Sequence, residues 1–205
     1  MIETALLPCG MRVVVDTQED HVVYCGIVVR AGTCQEEPAD LGMAHFMEHM
    51  SFKGTEHRKA LQVSQYLEGV GGELNAFTSK HNTVFSATVL EEDFRRAADV
   101  LCDLVFHSTY PQAEIDREVE VICDEIESYR DAPADLIFDE FESLLFQGEP
   151  LGRDILGEPA RLKEYTTADA RRWARQWYRP EHATFYAVGN VSLKKVCHEL
   201  QRHTS

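Results

Sequence analysis

Short apolar stretches rich in Val and Ile occupy residues 2–7, 11–16 and 21–30, and Pro8-Cys9-Gly10 between the first two is a hairpin-type turn. Three strands are predicted there. The polar segment 34–40 ends in Asp40, a candidate N-cap for a helix over 41–51. A second helix fits 58–69 and is closed by the glycines of the 69–72 run, after which 72–78 and 82–90 read as strands joined through Ser79-Lys80-His81.

From Glu91 the apolar period changes to that of a helix, predicted over 91–107 with acidic residues in its first turn, where they complement the helix dipole. Pro111 then stands where an N1 proline belongs, and Ile115, Val119, Ile122, Ile126 and Tyr129 step by 4, 3, 4 and 3 along one long helix. Pro133 interrupts it, 134–147 resumes as a helix, and 148–160 is a Gly/Pro loop. Thr166-x-x-Asp169 is a capping-box start for a helix carrying Trp173 and Trp177, read as packing residues. A strand at 183–188 and a helix over 192–201 follow. Hairpin-joined strands with helices gathered in blocks predict an α+β domain, a mainly antiparallel sheet with helices packed on one face.

With 205 residues, 44% hydrophobic and 27% charged, the chain suits one folded domain and neither a disordered nor a fibrous class. Its 35 Asp and Glu against 20 Lys and Arg give a net charge of -15, a field that repels phosphate backbones and anionic lipid and attracts cationic peptides. Nucleic acid and membrane are therefore not expected partners. The six cysteines form no C-x-x-C pair and read as reduced core thiols. No basic, apolar leader opens the chain and no apolar run approaches membrane-spanning length, so a cytoplasmic location is expected, or the mitochondrial matrix if a transit segment was removed.

The run Gly42-Met43-Ala44-His45-Phe46-Met47-Glu48-His49-Met50 changes that picture, because it places two histidines and a glutamate within an apolar helix. Four residues apart on a helix, His45 and His49 differ by about 40° in azimuth and one turn in height, so their imidazoles converge, as metal ligands do. Glu48 lies on the same side, near enough to take a proton from a water at that point. Met43, Phe46, Met47 and Met50 take the other side and anchor the helix in the core. H-x-x-E-H is one of the zinc-site arrangements with an assigned mechanism, and such sites commonly have a third protein ligand. The long helix offers Glu118 and Glu125, seven residues apart and nearly on one azimuth. Asp116, Glu120, Asp124 and Glu127 make that helix acidic all round, so spacing does not choose among its carboxylates. His57, His81, His107, His182 and His198 have no partner at ligand spacing and read as surface or structural residues.

His45-Phe46-Met47-Glu48-His49-Met50-Ser51-Phe52-Lys53-Gly54-Thr55 resembles the zinc motif of the inverzincin metallopeptidases, the group of mitochondrial processing peptidase, pitrilysin and insulin-degrading enzyme. Gly71-Gly72-Glu73-Leu74-Asn75-Ala76-Phe77-Thr78-Ser79 resembles that family's active-site edge strand, and Pro150-Leu151-Gly152-Arg153 with Ile155-Leu156-Gly157 its loop after the long helices. The resemblance implies one Zn2+ held by His45, His49 and Glu125, with Glu48 as general base, Glu118 supporting the site, and Asn75 and Ala76 holding a peptide substrate as an added strand. It further implies that residues 1–205 are a single N-terminal peptidase domain ending before or at the linker to a second homologous domain, the partner being supplied by the same chain, another subunit or a homo-oligomer. The alternative expectation is a non-catalytic assembly subunit of the same fold.

Overall fold

The computed structural model describes residues 1–204, and for residue 135 the backbone alone. Six strands, β1 (Ile2–Leu6), β2 (Arg12–Thr17), β3 (Val22–Val29), β4 (Glu73–Thr78), β5 (Thr83–Leu90) and β6 (Ala183–Gly189), form one sheet in the order β1-β2-β6-β3-β5-β4. Every pairing is antiparallel except that of β2 with β6. The expected α+β sheet is therefore present, and β6, from the far end of the chain, separates β2 from β3.

Alternation along the strands decides which face is covered. Val13, Val15, Val23, Cys25, Ile27, Phe85, Ala87 and Phe185 are buried on one face, while Tyr24 and Phe77 on the other remain exposed. Among the described residues eight helices accompany the sheet, α1 (Met43–Ser51), α2 (Ala60–Glu68), α3 (Phe94–Phe106), α4 (Gln112–Arg130), α5 (Pro133–Leu145), α6 (Pro159–Leu162), α7 (Thr167–Trp177) and α8 (Leu193–Gln201), with α1, α2, α3 and α8 packed on its strands and α4 to α7 reached through helix and loop contacts. Within this layer α3 crosses β3 and β5, α8 lies on β1 and β2, and α1 is wedged between β4 and α4. Ile115, Val119, Ile122 and Ile126 form the expected buried seam of α4, with Glu118 buried beside them. Along α5 the apolar side chains of Ile137, Phe138, Phe141, Leu144 and Leu145 face solvent.

Several local expectations are corrected. Asp40 does not cap the helix at 41–51; its buried carboxylate pairs with Arg172 at 2.6 and 3.1 Å. Pro111 is the N-cap of α4 rather than its first helical residue, and Pro133 opens α5 at its first turn. The helix expected from residue 91 begins with a 3-10 turn over Glu91–Asp93, and a 3-10 turn over Pro150–Gly152 and the single turn of α6 punctuate the 148–160 loop. Trp173 is buried as expected, and the six cysteines are free thiols, with Cys25, Cys102 and Cys123 buried.

The 148–160 loop returns to the start of α1 through two glycines. Gly42 has φ +82° and Gly157 φ +76°, and a Cβ on Gly157 would lie 2.5 Å from the Gly42 Cα. Gly148 has φ +83° but open space around it. Gly148→Ala is thus expected to cost about 1 kcal/mol, the penalty of a left-handed L-residue. Gly157→Ala adds a backbone clash and should cost on the order of 3 kcal/mol in urea unfolding. Equal costs would show that the two backbones are free to separate.

Candidate metal centre

The helix that carries both histidines has no capping side chain at its own N-terminus, where Gly42 takes a left-handed conformation. A carboxylate from the preceding turn does that work: Glu36 Oε2 accepts from the Gly42 N–H at 3.1 Å and Oε1 from the Ala44 N–H at 2.9 Å. Glu36 is only 3% exposed. Burial raises its carboxyl to about 8, against the opposing effect of the two backbone donors. The Arg153 guanidinium donates to the Glu36 and Thr33 carbonyls, and Lys80 Nζ donates to the Arg153 carbonyl at 2.5 Å, so the loop and the helix start are tied together.

Met43, Phe46, Met47 and Met50 are fully buried, which fixes the rotation of α1 and turns His45, Glu48 and His49 toward α4 and β4. His45 Nε2 and His49 Nε2 are 3.2 Å apart. Glu125 Oε2 lies 3.5 Å from His49 Nε2 and 3.7 Å from His45 Nε2. Two turns earlier on α4, Glu118 meets the opposite side of the same imidazole, its Oε1 accepting from His49 Nδ1 at 2.9 Å while its Oε2 pairs with Lys53 Nζ at 2.6 Å. The two carboxylates that spacing alone leaves equivalent thus sit at different nitrogens.

Protonation follows from these contacts. Burial by itself would raise Glu118, but the His49 and Lys53 hydrogen bonds and charges hold it below the ordinary carboxylate value. An ionised Glu118 only accepts, so the His49 proton stays on Nδ1 and its Nε2 presents a lone pair. Burial, with the neighbouring His49 adding to it, pushes His45 down to about 3, so its imidazole is neutral. Once the His45 proton moves to its buried Nδ1, two imidazole lone pairs and a carboxylate oxygen face one point, an arrangement that can hold a cation. Zn–N bonds of about 2.0–2.1 Å in tetrahedral geometry separate two ligand atoms by about 3.3 Å, close to the spacings found here. The donor set and its spacing therefore fit a zinc ion.

Glu48 stands beside this point rather than in the donor set. Its Oε2 accepts from Thr78 Oγ1 at 2.5 Å. Burial raises its carboxyl, with Glu125 adding to the effect and Thr78 and His49 opposing it. Thr78 ends β4, the outermost strand of the sheet, whose free edge borders the site. On that strand Ala76 half-faces α1, and its N–H is capped by Asn75 Oδ1 at 2.8 Å. A cleft of about 360 Å³ runs past His45, Glu48, Ala76, Thr78 and Glu125 and is closed by Asp139, Asp154 and Leu156.

Of the seven residues singled out in the sequence, His45, Glu48, Ala76 and Glu125 line the cleft, and His49 and Glu118 adjoin it through His45 and Glu125; Asn75 lies on the opposite face of β4 and reaches the site only through its contact with the Ala76 N–H. Glu36, Lys53 and Thr78 also shape it, and sequence reasoning gives them no role. Of the three, only Glu36 left a signal, as an acidic residue shortly before a helix with no other cap. Among the remaining histidines, His57 pairs with buried Asp103 at 2.7 Å, a structural contact.

Residues 12–159 match the family Insulinase (Peptidase family M16), and the chain belongs to it. It is 36% identical to a zinc protease of Streptomyces coelicolor over 98% of its own length and 44% of that protein's. It is 32% identical to the mitochondrial-processing peptidase subunit beta of Saccharomyces cerevisiae, with the same coverage, 98% and 44%. The structure of a protease from Helicobacter pylori superposes with a TM-score of 0.93 at 22% identity, over 99% of this chain and 50% of that one. A peptidase M16 inactive domain from Pseudomonas fluorescens superposes with a TM-score of 0.90 at 18% identity, covering 100% of this chain and 50% of that one. The chain spans about half the length of the relatives it matches, which include zinc proteases and a processing-peptidase subunit. Among the described residues no helix is long and apolar enough to cross a membrane.

Glu36 makes stability depend on pH. Its folded value of about 8 lies above the ordinary 4.5, so between these the folded state binds more protons and stability falls as pH rises. One such group contributes a slope of at most about 1.4 kcal/mol per pH unit. Urea unfolding of wild type and Glu36→Gln at pH 5.5 and 7.5 should show the wild type losing about 2 kcal/mol relative to the variant. Parallel behaviour of the two proteins would mean that Glu36 is already ionised throughout this range.

Proposed function

We propose that this M16-family chain is the metal-binding half of a zinc-dependent endopeptidase, with His45, His49 and Glu125 as ligands of one Zn2+ and Glu48 as general base. The observation that carries the reading is the convergence of His45, His49 and Glu125 from α1 and α4, their ligand atoms within 4.8 Å of one another, with the Glu48 carboxyl beside them. When bound, zinc supplies Lewis-acid polarisation of a peptide carbonyl and a water whose pKa falls to about 7. Glu48 takes the proton of the attacking water and returns it to the leaving amine; a carboxyl raised by burial suits both halves of that task near neutral pH. Glu118 orients His49 and holds its proton on Nδ1, leaving Nε2 for the metal.

The peptide lies along the free edge of β4 as an added strand, with Asn75 and Ala76 facing its backbone. In that mode a substrate carbonyl replaces the Asn75 side chain at the Ala76 N–H. Asp139, Asp154 and the net charge of -15 favour peptides with basic side chains near the scissile bond. The cleft is open to solvent, and the relatives are about twice as long, so we assign its cover to a second homologous domain, a partner subunit or a second copy of this chain. On this reading the 205-residue chain binds zinc and cleaves peptides poorly until that cover is supplied. The rival role, a non-catalytic assembly subunit, leaves no reason for the four side chains to meet.

Metal analysis of the purified chain should find one zinc in the wild type, and stoichiometric zinc should disappear in both His45→Ala and Glu125→Ala. Full zinc content in Glu125→Ala would remove that residue from the ligand set. In the assembled enzyme Glu48→Gln should keep its zinc and lose turnover by about 10²-fold or more; unaltered turnover there would sink the peptidase mechanism.

A further inference from the structure

We infer that Thr78 is a positioning residue for Glu48, its hydroxyl holding the carboxylate in one orientation and tying it to the strand on which the peptide lies. The inference rests on the peptidase reading above and extends it to a residue that reading does not use. A glutamate reaching out from a helix has three rotatable side-chain bonds, and its carboxylate takes many orientations unless something selects one. Thr78 Oγ1 lies 2.5 Å from Glu48 Oε2, in the short range of hydrogen bonds to an ionised acceptor.

Proton accounting shows where the Thr78 hydrogen goes. The neighbouring buried hydroxyl of Thr83 gives its single proton to the Ala31 carbonyl at 2.8 Å. The 3.4 Å separation between the Thr78 and Thr83 oxygens is long for a hydroxyl pair. The Thr78 proton therefore points to Glu48 Oε2, which accepts it. Thr83 pairs with Thr78 across β4 and β5, and through Ala31 it is fixed to the segment following β3, so the donor stands on three consecutive parts of the sheet rather than on a free loop.

Position on the strand gives the contact its function. Thr78 is two residues beyond Ala76 and shares its face of β4, about 7 Å further along. The strand edge that receives the substrate backbone and the group that orients the base are therefore one rigid piece. A peptide added to that edge is brought to the base at a set distance, and misplacement of such a group by about 1 Å costs up to about 10²-fold in rate.

The test compares Thr78→Val, which keeps the branched shape of the side chain and loses the donor, with Thr78→Ser, which keeps the donor. In the complete enzyme that contains this chain, Thr78→Val should retain zinc and KM and lose about 10-fold in kcat, and Thr78→Ser should recover most of that loss. In crystals of the zinc-loaded 205-residue chain, Glu48 should hold one orientation in wild type and Thr78→Ser and several in Thr78→Val. A wild-type kcat in Thr78→Val, a serine variant no better than valine, or a Glu48 orientation unchanged in the valine crystal would each overturn the inference. Glu48→Gln separates the two levels. If it retains turnover, the peptidase reading has failed; if it is inactive while Thr78→Val is normal, only the role of Thr78 has. Should the complete enzyme show no turnover, the crystal comparison still decides the role of Thr78.

Discussion

The proton that His49 keeps on Nδ1 decides what the rest of the centre can be. Glu118 accepts it, and Lys53 neutralises the far oxygen of the same carboxylate, so that Glu118 remains ionised although it is only 5% exposed. Were this carboxylate neutral, His49 would be free to carry its proton on Nε2, and the gap between the two histidines would hold a donor in place of a lone pair. An ion pair on the far side of the ring thus sets the chemistry of the near side, as outer partners of metal-ligating histidines generally do.

Holding two imidazoles and a carboxylate this close together, with one of them largely buried, works against folding, and the surroundings of α1 offset it. The helix is clamped at its start by Glu36 and the Gly42–Gly157 approach, along its length by four buried side chains, and just beyond its end by Lys53 on Glu118. The clamps come from four separated parts of the chain, the turn before α1, the helix itself, α4 and the 148–160 loop. Rigidity at this helix is therefore a property of the tertiary structure and not of its nine residues, too few to be stable alone.

That distribution explains what could be read in the sequence. Strands, helices and the buried seam of α4 follow from periodicity, because burial of one face imposes it wherever the partner element lies. The histidines and Glu48 are legible for the same reason, being neighbours on one helix. Strand order is not, since nothing in the alternation of β2 or β6 says that they run side by side. Glu125 and Glu118 differ only in which nitrogen of a distant ring they meet, so spacing gives them equal standing and family resemblance alone separates them. Asp40 is the cap that the local rule predicts, because that rule looks at the residue adjoining the helix, whereas the observed contact reaches from Glu36 across a turn. Thr78 is a common strand residue, and only its closeness to Glu48 gives it meaning.

The place of β6 bears on how the chain is made. Until residues 183–189 leave the ribosome, the hairpin of β1 and β2 and the three-stranded unit of β3, β5 and β4 have no shared border, and the sheet exists as two fragments with raw edges. Synthesis at about 5–20 residues per second leaves those edges uncovered for roughly 10–30 s after β3 has emerged. Closure then requires a strand to slide between two existing ones, parallel to the first and antiparallel to the second, a long-range step of the slow kind. The nascent chain is thus most prone to aggregate before its final strand arrives, and holdase chaperones would act on it in that interval.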